Sequence, residues 1–414
     1  MKKRFNKKMA VPAAMALMLT AGSILPTASV FAANQYTPVA GTSTTFDKYL
    51  VMDKEAQIPN VSFTYSIAPG TAKIYDVQGK KFEVLAGVGT PTMAGVDTSA
   101  ANTIAFSQGD GSDADSAHAD SDLVKDLDTA ISKYAKKTAT IDFSNCSYTE
   151  PGVYRYVITE SGDNQAVTND ADLTRVLDVY VVDDNGTLKV QSYVLHANES
   201  DLLMGTENGT QDIEASEHKP QGYTNTYDTS NLTVRKQVSG NQASHDKYFE
   251  FTVRIENAVA GTRYDVVLDG ADAVSGSNDA TIAANEGKTN PAFLTVGQDG
   301  TVEQKFYLQH DQQITINGIA KDSTYTVTEN PEDYKPTANT ASAPVVTTCE
   351  GSVAADTAGT IVSTDLTTGY LNTRQGIIPT GVVMAVAPFA AVTLFGGFGA
   401  ASVVMKKKKE DNEE

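Results

Sequence analysis

Most of the chain alternates between apolar and polar residues with a period of two, as strands with one buried face do. The clearest runs are RVLDVYVV (175–182), TLKVQSYVL (187–195), TVEQKFYLQ (301–309), QQITINGI (312–319) and STYTVTEN (323–330). The first two flank DDNG, which predicts a hairpin turn. Short strands at regular intervals, rich in Thr, Val and Tyr, predict all-β sandwich domains.

One segment has helical spacing instead. In SDLVKDLDTAISKYAKK (121–137), the apolar residues Leu123, Leu127, Ile131 and Tyr134 recur at intervals of three or four. We therefore expect one short helix in the first half of an otherwise all-β chain.

The N-terminus has the pattern of a secretory signal peptide. Five basic residues precede a mostly apolar run over 9–25, and VFA at 30–32 offers small-residue cleavage positions. A membrane anchor is the alternative, but the apolar run is short and a cleavage site follows it. We expect residues 1–32 to be removed on export, by cleavage after Ala32.

The C-terminus has a longer apolar stretch. Residues 382–405 are 24 residues without a charge, and four lysines follow at 406–409. As a helix the stretch would be roughly 36 Å long, enough to cross a bilayer with the lysines on the cytoplasmic side. Together the two ends predict a chain that leaves the cell yet is held, at least transiently, at the membrane.

The two halves of the chain repeat each other. The corresponding segments are TTFDKYLVMD (44–53) and NLTVRKQVSG (231–240), VSFTYSI (61–67) and YFEFTVRI (248–255), and GVYRYVITE (152–160) and STYTVTE (323–329). Each half closes with Gly-Tyr-x-Asn-Thr. The repeat predicts two domains, 33–228 and 229–376, that meet near 228–231.

Each half also carries an early lysine, a late glutamate and a terminal asparagine. The two trios are Lys48, Glu160 and Asn225, and Lys236, Glu329 and Asn372. Strand parity places all six on the apolar face, whereas Arg235 points the other way. A lone charge in a core is expensive, although charges at strand ends often reach water. Because the same trio occurs in the same order twice, we favour a shared buried site.

Lysine, glutamate and asparagine in a dry core can react with one another. Burial makes a lysine lose its charge more readily and become a nucleophile, and a buried, protonated glutamate can polarise the asparagine amide. Contact would supply an effective molarity of up to about 10⁵–10⁸ M. The product would be a Lys–Asn isopeptide bond, formed once with loss of ammonia. The alternative is a buried Lys–Glu pair with the asparagine as a spectator.

Charge and motif content argue against several classes of function. The formal net charge of −19 disfavours binding to nucleic acid. The five histidines show no metal-ligand spacing, and no phosphate-binding loop or Gly-x-Ser-x-Gly elbow is present, so we expect no metal, no cofactor and no enzyme with turnover. For Cys146 and Cys349 we expect a buried thiol in each domain, with an inter-domain disulfide as the alternative.

Three segments resemble the sortase-assembled major pilins of Gram-positive bacteria, in particular the two-domain streptococcal backbone pilin: NTYDTSNLTVRKQVSG (225–240), PGVYRYVITE (151–160) and GYLNTRQGIIPTGVVMAVAP (369–388). The resemblance covers nearly the whole chain. It implies two tandem immunoglobulin-like (collagen-adhesin B-like) β-sandwich domains with intramolecular isopeptide bonds. Carried over by position, it implies that Lys48 joins Asn225 with Glu160 assisting, and that Lys236 joins Asn372 with Glu329 assisting.

The same resemblance implies that residues 377–414 are a sorting signal. Ile378, Pro379, Thr380 and Gly381 precede the apolar stretch and the lysines, in the three-part layout that sortases recognise. The expected reaction cleaves between Thr380 and Gly381 and transfers Thr380 to an amine. The motif departs from the common Leu-Pro-x-Thr-Gly and resembles the Val-Pro-Thr-Gly form that some pilin sortases use.

Polymerisation requires an acceptor lysine, and no Tyr-Pro-Lys-Asn motif is present. In SEHKPQGYTN (216–225), Lys219 lies just before the last strand of the first domain, near where the similar streptococcal pilin keeps its linking lysine; an ordinary loop lysine is the alternative. The resemblance thus implies a cell-wall-anchored pilus shaft subunit whose partners are a sortase, identical subunits, accessory pilins and peptidoglycan. The alternative is a sortase-anchored adhesin or tip pilin, attached singly to the wall.

Overall fold

The computed structural model describes residues 36–77, 80–97, 99–113, 123–124, 126–197, 222–270, 281–282, 288–339 and 356–377. The expected signal peptide, apolar span and sorting motif, with Lys219 and Cys349, lie outside these ranges. All regular structure within them is β-strand, so the predicted all-β fold is confirmed. No helix in these ranges is long and apolar enough to cross a membrane.

The first domain is built from strands that precede residue 228. They are β1 (Val39–Ala40), β2 (Ser43–Asp53), β3 (Val61–Pro69), β4 (Lys73–Val77), β5 (Lys80–Ala86), β6 (Thr92–Met93), β7 (Thr103–Phe106), β8 (Ser112–Asp113), β9 (Ser132–Asp142), β10 (Ser147–Tyr148), β11 (Gly152–Ser161), β12 (Val167–Thr168), β13 (Thr174–Asp184), β14 (Thr187–His196) and β15 (Gly222–Tyr227). One sheet has the order β14-β13-β11-β3-β7, with β5 added at β11 and β4 at β5. The other has the order β12-β15-β2-β9-β6, with β8 added at β9. A single apolar core that includes Phe46, Phe63 and Tyr156 lies between them.

The second domain repeats this arrangement with fewer strands. They are β16 (Thr229–Ser239), β17 (Phe249–Glu256), β18 (Arg263–Gly270), β19 (Thr281–Ile282), β20 (Lys288–Thr289), β21 (Phe293–Thr295), β22 (Val302–Leu308), β23 (Gln312–Ala320), β24 (Thr324–Asn330), β25 (Lys335–Asn339), β26 (Asp356–Thr360) and β27 (Leu366–Thr373). The sheet β21-β18-β23-β16-β27-β25 faces the sheet β22-β17-β24-β26 across a second apolar core. Two tandem β-sandwiches therefore make up the described chain.

The first long strand lies parallel to the last strand in both domains. β2 pairs with β15 in the first domain, and β16 pairs with β27 in the second. Between them the chain crosses from one sheet to the other and returns, which brings together residues that are far apart in sequence. This pairing positions the candidate site.

The predicted hairpin at DDNG is confirmed. β13 pairs antiparallel with β14, and Asn185 and Gly186 have φ of 56° and 93°. Both values are positive, as a type I′ turn requires, and Asn and Gly adopt such values most readily.

The predicted helix over 121–137 is wrong. Its described residues before Ser132 form turns and loops, and its last six residues belong to β9, which pairs antiparallel with the whole of β2. From Ala135 to Ile141 every second residue of β9 is buried, so the strand has a period of two of its own. Pairing along the whole of β2 satisfies the backbone hydrogen bonds of β9, and this stabilisation outweighs the weak helical preference that the apolar spacing indicated. Leu123 and Leu127 instead pack with Val124, Tyr49 and Tyr134 in a satellite cluster on the face of the sheet that points away from the core, and Ile131 is exposed.

Cys146 is a free thiol and fully buried in the first core. The expectation of a buried thiol is therefore confirmed in this domain. Burial raises the pKa of Cys146, so the thiol stays protonated and unreactive.

A buried ion pair joins β11 and β13, two neighbouring strands of the first domain. The Arg155 guanidinium donates from Nε and Nη2 to the two Asp178 oxygens, each at 2.8 Å, and both side chains are fully buried. His196 Nε2 lies 3.3 Å from Asp178 Oδ2. Although burial opposes ionisation, Arg155 holds the pKa of Asp178 below its usual value.

Replacing Asp178 by alanine should lower the free energy of unfolding by about 3–5 kcal/mol, because it leaves a buried guanidinium without its counter-charge. Urea denaturation followed by circular dichroism measures the loss. As a control, Glu256→Ala removes one of the exposed carboxylate partners of Arg254 and should leave the midpoint near that of the wild type. A loss for Asp178→Ala no larger than the control's would contradict the prediction.

Candidate functional site: two buried Lys–Glu–Asn clusters

The structure brings each predicted trio together inside its own core. Lysine, glutamate and asparagine come from β2, β11 and β15 in the first domain, and from β16, β24 and β27 in the second. All six residues have relative exposures of 2% or less: Lys48, Glu160, Asn225, Lys236, Glu329 and Asn372. Two clusters of the same composition thus lie between the facing sheets.

In the first cluster the lysine contacts both partners. Lys48 Nζ lies 2.5 Å from Glu160 Oε2 and 2.5 Å from Asn225 Oδ1. The Tyr65 hydroxyl donates to the same glutamate oxygen at 2.6 Å. Glu160 Oε1 has no hydrogen-bond partner among the described residues.

A loop between β12 and β13 holds the asparagine of the first cluster. The backbone N–H of Asp170 donates to Asn225 Oδ1 at 3.2 Å, and Asn225 Nδ2 donates to Asn169 Oδ1 at 3.0 Å. Asp170 is in turn paired with Arg175 at 2.8 Å. The amide is therefore fixed with its oxygen toward the lysine.

In the second cluster the glutamate lies between the other two residues. Glu329 Oε1 is 2.5 Å from Lys236 Nζ and accepts a hydrogen bond from Asn372 Nδ2 at 2.9 Å. Asn372 Oδ1 and Glu329 Oε2 have no hydrogen-bond partner among the described residues. The same three groups are in contact here, with the glutamate as the bridge.

The strand register at the two clusters is identical. Lys48 lies opposite Tyr223 on the parallel neighbour strand, and Lys236 lies opposite Tyr370. In each case the asparagine comes two residues after that tyrosine, on the same face of the strand. The repeated Gly-Tyr-x-Asn-Thr segment therefore sets the position of the asparagine relative to the lysine.

Aromatic side chains that the alternating pattern did not predict as part of the site pack against both clusters. Lys48 Nζ lies 4.1 Å from the ring centre of Phe63, and Lys236 Nζ lies 4.4 Å from that of Phe249. The two terminal-strand tyrosines donate their hydroxyls across the sandwich: Tyr223 to the Ile158 carbonyl at 2.9 Å, and Tyr370 to the Val327 carbonyl at 2.7 Å. Each acceptor lies two residues before the cluster glutamate. The tyrosine of the repeated Gly-Tyr-x-Asn-Thr segment is the sequence feature from which these contacts could have been predicted.

Burial dominates the electrostatics of both lysines. Burial lowers the pKa of Lys48 and of Lys236 from 10.5 to about 8, although the neighbouring glutamate opposes the change. Burial also raises the pKa of Glu329, against the attraction of Lys236. Each change favours a neutral amine, and in the second cluster a neutral acid as well, beside an amide.

Three comparisons with known proteins bear on this geometry. Residues 81–228 match the family described as the Spy0128-like isopeptide containing domain, and residues 230–366 match a domain family of unknown function. The first match takes in Glu160 and Asn225. Over 409 residues the chain is 25% identical to a pilin of Streptococcus pyogenes serotype M1, covering 94% of this chain and 98% of the relative. The chain resembles the Gram-positive pilins.

Solved pilin structures also align with this pilin-like chain. The crystal structure of the major pilin from Streptococcus pyogenes covers 82% of this chain and 100% of its own, at 20% identity and a TM-score of 0.48. The major pilin T3.2 from Streptococcus pyogenes serotype GAS13637 covers 81% and 99%, at 19% identity and a TM-score of 0.47.

A variant that keeps both lysines as free amines should become more stable as the pH rises from 8 to 9.5. In Asn225→Ala/Asn372→Ala, each folded lysine loses its proton above pH about 8, whereas the unfolded lysine keeps it to 10.5. Because the unfolded state then binds more protons, the free energy of unfolding rises by up to about 1.4 kcal/mol per pH unit for each lysine. Urea midpoints across this range measure the slope.

The control removes one titrating pair. Adding Lys236→Met with Glu329→Gln should halve the slope, since only Lys48 then changes charge. The window ends below pH 10 because the buried tyrosines, whose pKa values are raised, oppose the trend above it. A flat profile in the first variant would show that the two lysines stay charged in the folded protein.

Proposed function

We propose that this chain is a structural shaft subunit of a covalently polymerised Gram-positive pilus, stabilised by a self-formed Lys–Asn isopeptide bond in each domain. The observation that carries the proposal is the duplicated cluster, in identical register, between the first and last strands of both domains. The full-length similarity to a streptococcal pilin supports it. The chain is then a substrate of a sortase, and its only catalysis acts once on itself.

The proposed bonds are Lys48–Asn225 and Lys236–Asn372. Within each pair the lysine passes a proton to Glu160 or Glu329, and the neutral amine attacks Cγ of the asparagine. The Nζ–Cγ bond forms, the Cγ–Nδ2 bond breaks, and ammonia leaves with a proton returned through the glutamate. Two sets of contacts support this route: Lys48 lies 2.5 Å from both Glu160 and Asn225, and Glu329 lies 2.5 Å from Lys236 and 2.9 Å from Asn372.

Such bonds would stabilise each domain by restricting the unfolded chain. The first would close a loop of 177 residues. By analogy with a disulfide, a loop longer than 100 residues is worth about 5 kcal/mol, and an amide bond cannot be reduced. The described residues contain no disulfide, and the proposed bonds would give an exported chain a restraint comparable to that of a disulfide.

Polymerisation is proposed to run through the tail. A sortase would cleave between Thr380 and Gly381 of the motif at 378–381 and transfer Thr380 to Lys219 of the next subunit, or finally to peptidoglycan. Lys219 belongs to the segment that leads into β15, six residues before Asn225. The chain would then be secreted, anchored to the cell wall and displayed as a pilus that includes accessory pilins.

A sortase-anchored adhesin or tip pilin is the second candidate. The same sorting signal would serve a chain that is attached singly to the wall. The two candidates differ in whether an acceptor lysine is needed.

The intact mass of the 33–376 segment should be about 34 Da below that calculated from its sequence, because two amine acylations expel two ammonia. Asn225→Ala should leave a deficit of about 17 Da, since only the second bond can form. Asn241→Ala, at a surface asparagine outside both clusters, should keep the full deficit. An unmodified wild-type mass would disprove the cross-links.

Lys219→Ala should abolish the high-molecular-weight ladder of pilus polymers that resists boiling in SDS, because the acyl group on Thr380 loses its acceptor. Immunoblots of cell-wall extracts measure this. Lys321→Ala removes a lysine of the β23–β24 turn and should leave the ladder intact. A single wall-linked species in the wild type, unchanged by Lys219→Ala, would favour the adhesin.

A further inference from the structure

The chain stays bound to the second domain beyond the end of its last strand. β27 ends at Thr373. The Arg374 N–H nevertheless donates to the Ser239 carbonyl at 3.0 Å, and the Gln242 N–H donates to the Arg374 carbonyl at 3.2 Å. The loop after β16 can approach this closely because Gly240 has a φ of 115°, and a side chain there would overlap the Arg374 carbonyl. The loop therefore continues the pairing that β16 makes with β27.

The side chain of Asn241 holds the chain two residues further on. The Gly376 N–H donates to Asn241 Oδ1 at 2.8 Å, and Asn241 Nδ2 donates to the Gly376 carbonyl at 3.2 Å. A single asparagine amide thus takes the place of a neighbouring strand, which would satisfy the same two backbone groups. The Gln242 side chain lies over Gly376, where a Cβ would overlap it. Ile377 is 93% exposed, so the described chain leaves the domain surface after Gly376.

The proposed sorting motif begins with the residue after Ile377. Thr380 is four residues beyond Gly376, so a fully extended chain places the two Cα atoms at most about 14 Å apart. A folded domain of about 100 residues has a radius of gyration of about 13 Å. A sortase that encloses residues 378–381 in a cleft must therefore meet the end of the second domain while Gly376 is held there.

We propose that the Asn241 amide is a clamp on Gly376 that keeps the sorting motif close to the second domain, and that a sortase acts on Thr380 only while this clamp is open. The inference rests on the proposed sorting reaction. In that reaction the Thr380–Gly381 amide breaks, the Thr380 carbonyl carbon bonds to the acceptor nitrogen, and Gly381 leaves as a free amine. The rate then depends on the fraction of chains whose clamp is open.

Opening the clamp breaks two surface hydrogen bonds and lengthens the free tail. Arg374 would stay held by its two backbone bonds and by an ion pair of 2.9 Å with Asp333, so the released stretch would begin at Gln375. Thr380 would then be six residues from the last held residue, which allows a reach of about 21 Å. Two exposed hydrogen bonds at the weak end of their usual range favour the closed clamp about five- to tenfold.

The test measures cleavage of the full-length chain, in a mild detergent, by a recombinant pilin sortase from the bacterium that produces it. Hydroxylamine serves as the acceptor amine, and mass spectrometry of the product that ends at Thr380 gives kcat/KM. Asn241→Ala should raise kcat/KM about five- to tenfold, because the clamp no longer closes. Ser244→Ala is the matched control: it lies in the same loop, keeps the backbone N–H that donates to the Tyr334 hydroxyl, and should leave kcat/KM unchanged.

A lengthened tail separates the clamp from other effects of the substitution. Inserting about six glycine and serine residues between Gly376 and Ile377 would move the motif away from the domain while the clamp stays intact. This chain should be cleaved as fast as Asn241→Ala, and adding Asn241→Ala to it should have no further effect. A merely structural role of Asn241 would instead lower the urea midpoint in both chains, and the spacer would not cancel it.

A peptide of residues 377–382 distinguishes this inference from the function on which it rests. If neither the peptide nor any chain is cleaved between Thr380 and Gly381, the proposed sorting reaction is wrong and the inference falls with it. If cleavage occurs there but Asn241→Ala is no faster than the wild type, or the spacer leaves the rate unchanged, the inference alone is overturned. Should Asn241→Ala fold poorly, the spacer chain, which keeps Asn241, decides the question.

Discussion

An amine buried in each apolar core is the constraint around which both domains are organised. Lys48 and Lys236 are fully buried, and an isolated ammonium in such a place would cost several kcal/mol. In each domain a glutamate carboxylate from the opposite sheet and an asparagine amide from the parallel neighbour strand lie beside this amine. These three groups can meet only because the first and last strands lie side by side. The parallel pairing of the first and last strands is therefore what places polar partners beside the buried lysine.

The two domains satisfy that constraint with different second contacts. In the first, the loop at Asn169 and Asp170 holds the amide and Tyr65 holds the carboxylate, so the lysine contacts both. In the second, the glutamate contacts both the lysine and the amide. The lysine, glutamate and asparagine that the clusters share lie on paired strands, whose register allows little change. The contacts that differ come from a loop, at Asn169 and Asp170, and from one aromatic residue, Tyr65.

Strand parity was sufficient to predict which six polar side chains face the cores, because a period of two leaves only two choices for each residue. It could not predict Asn169 and Asp170, since loop residues follow no period, nor the hydroxyl contacts of Tyr223 and Tyr370, since an alternating pattern counts tyrosine as apolar. The helix over 121–137 failed for a related reason. Its apolar spacing was real, but Leu123 and Leu127 pack on the outer face of the sheet, while β9 gains a full set of ladder bonds along β2.

In the proposed polymer, the position of Lys219 decides what each proposed bond would do under tension. A subunit joined at Lys219 would pass force into β15, along the main chain through 228 to β16, and from Lys236 across the second bond to Asn372 and Thr380. The second bond would then carry the force directly and shield the 237–371 stretch from extension. The first bond lies beside this path: it fastens the first domain to the loaded strand, because Asn225 is on β15 and Lys48 is on its neighbour. On this arrangement, loss of the second bond would lengthen a stretched subunit, whereas loss of the first would let β15 separate from an otherwise unloaded domain.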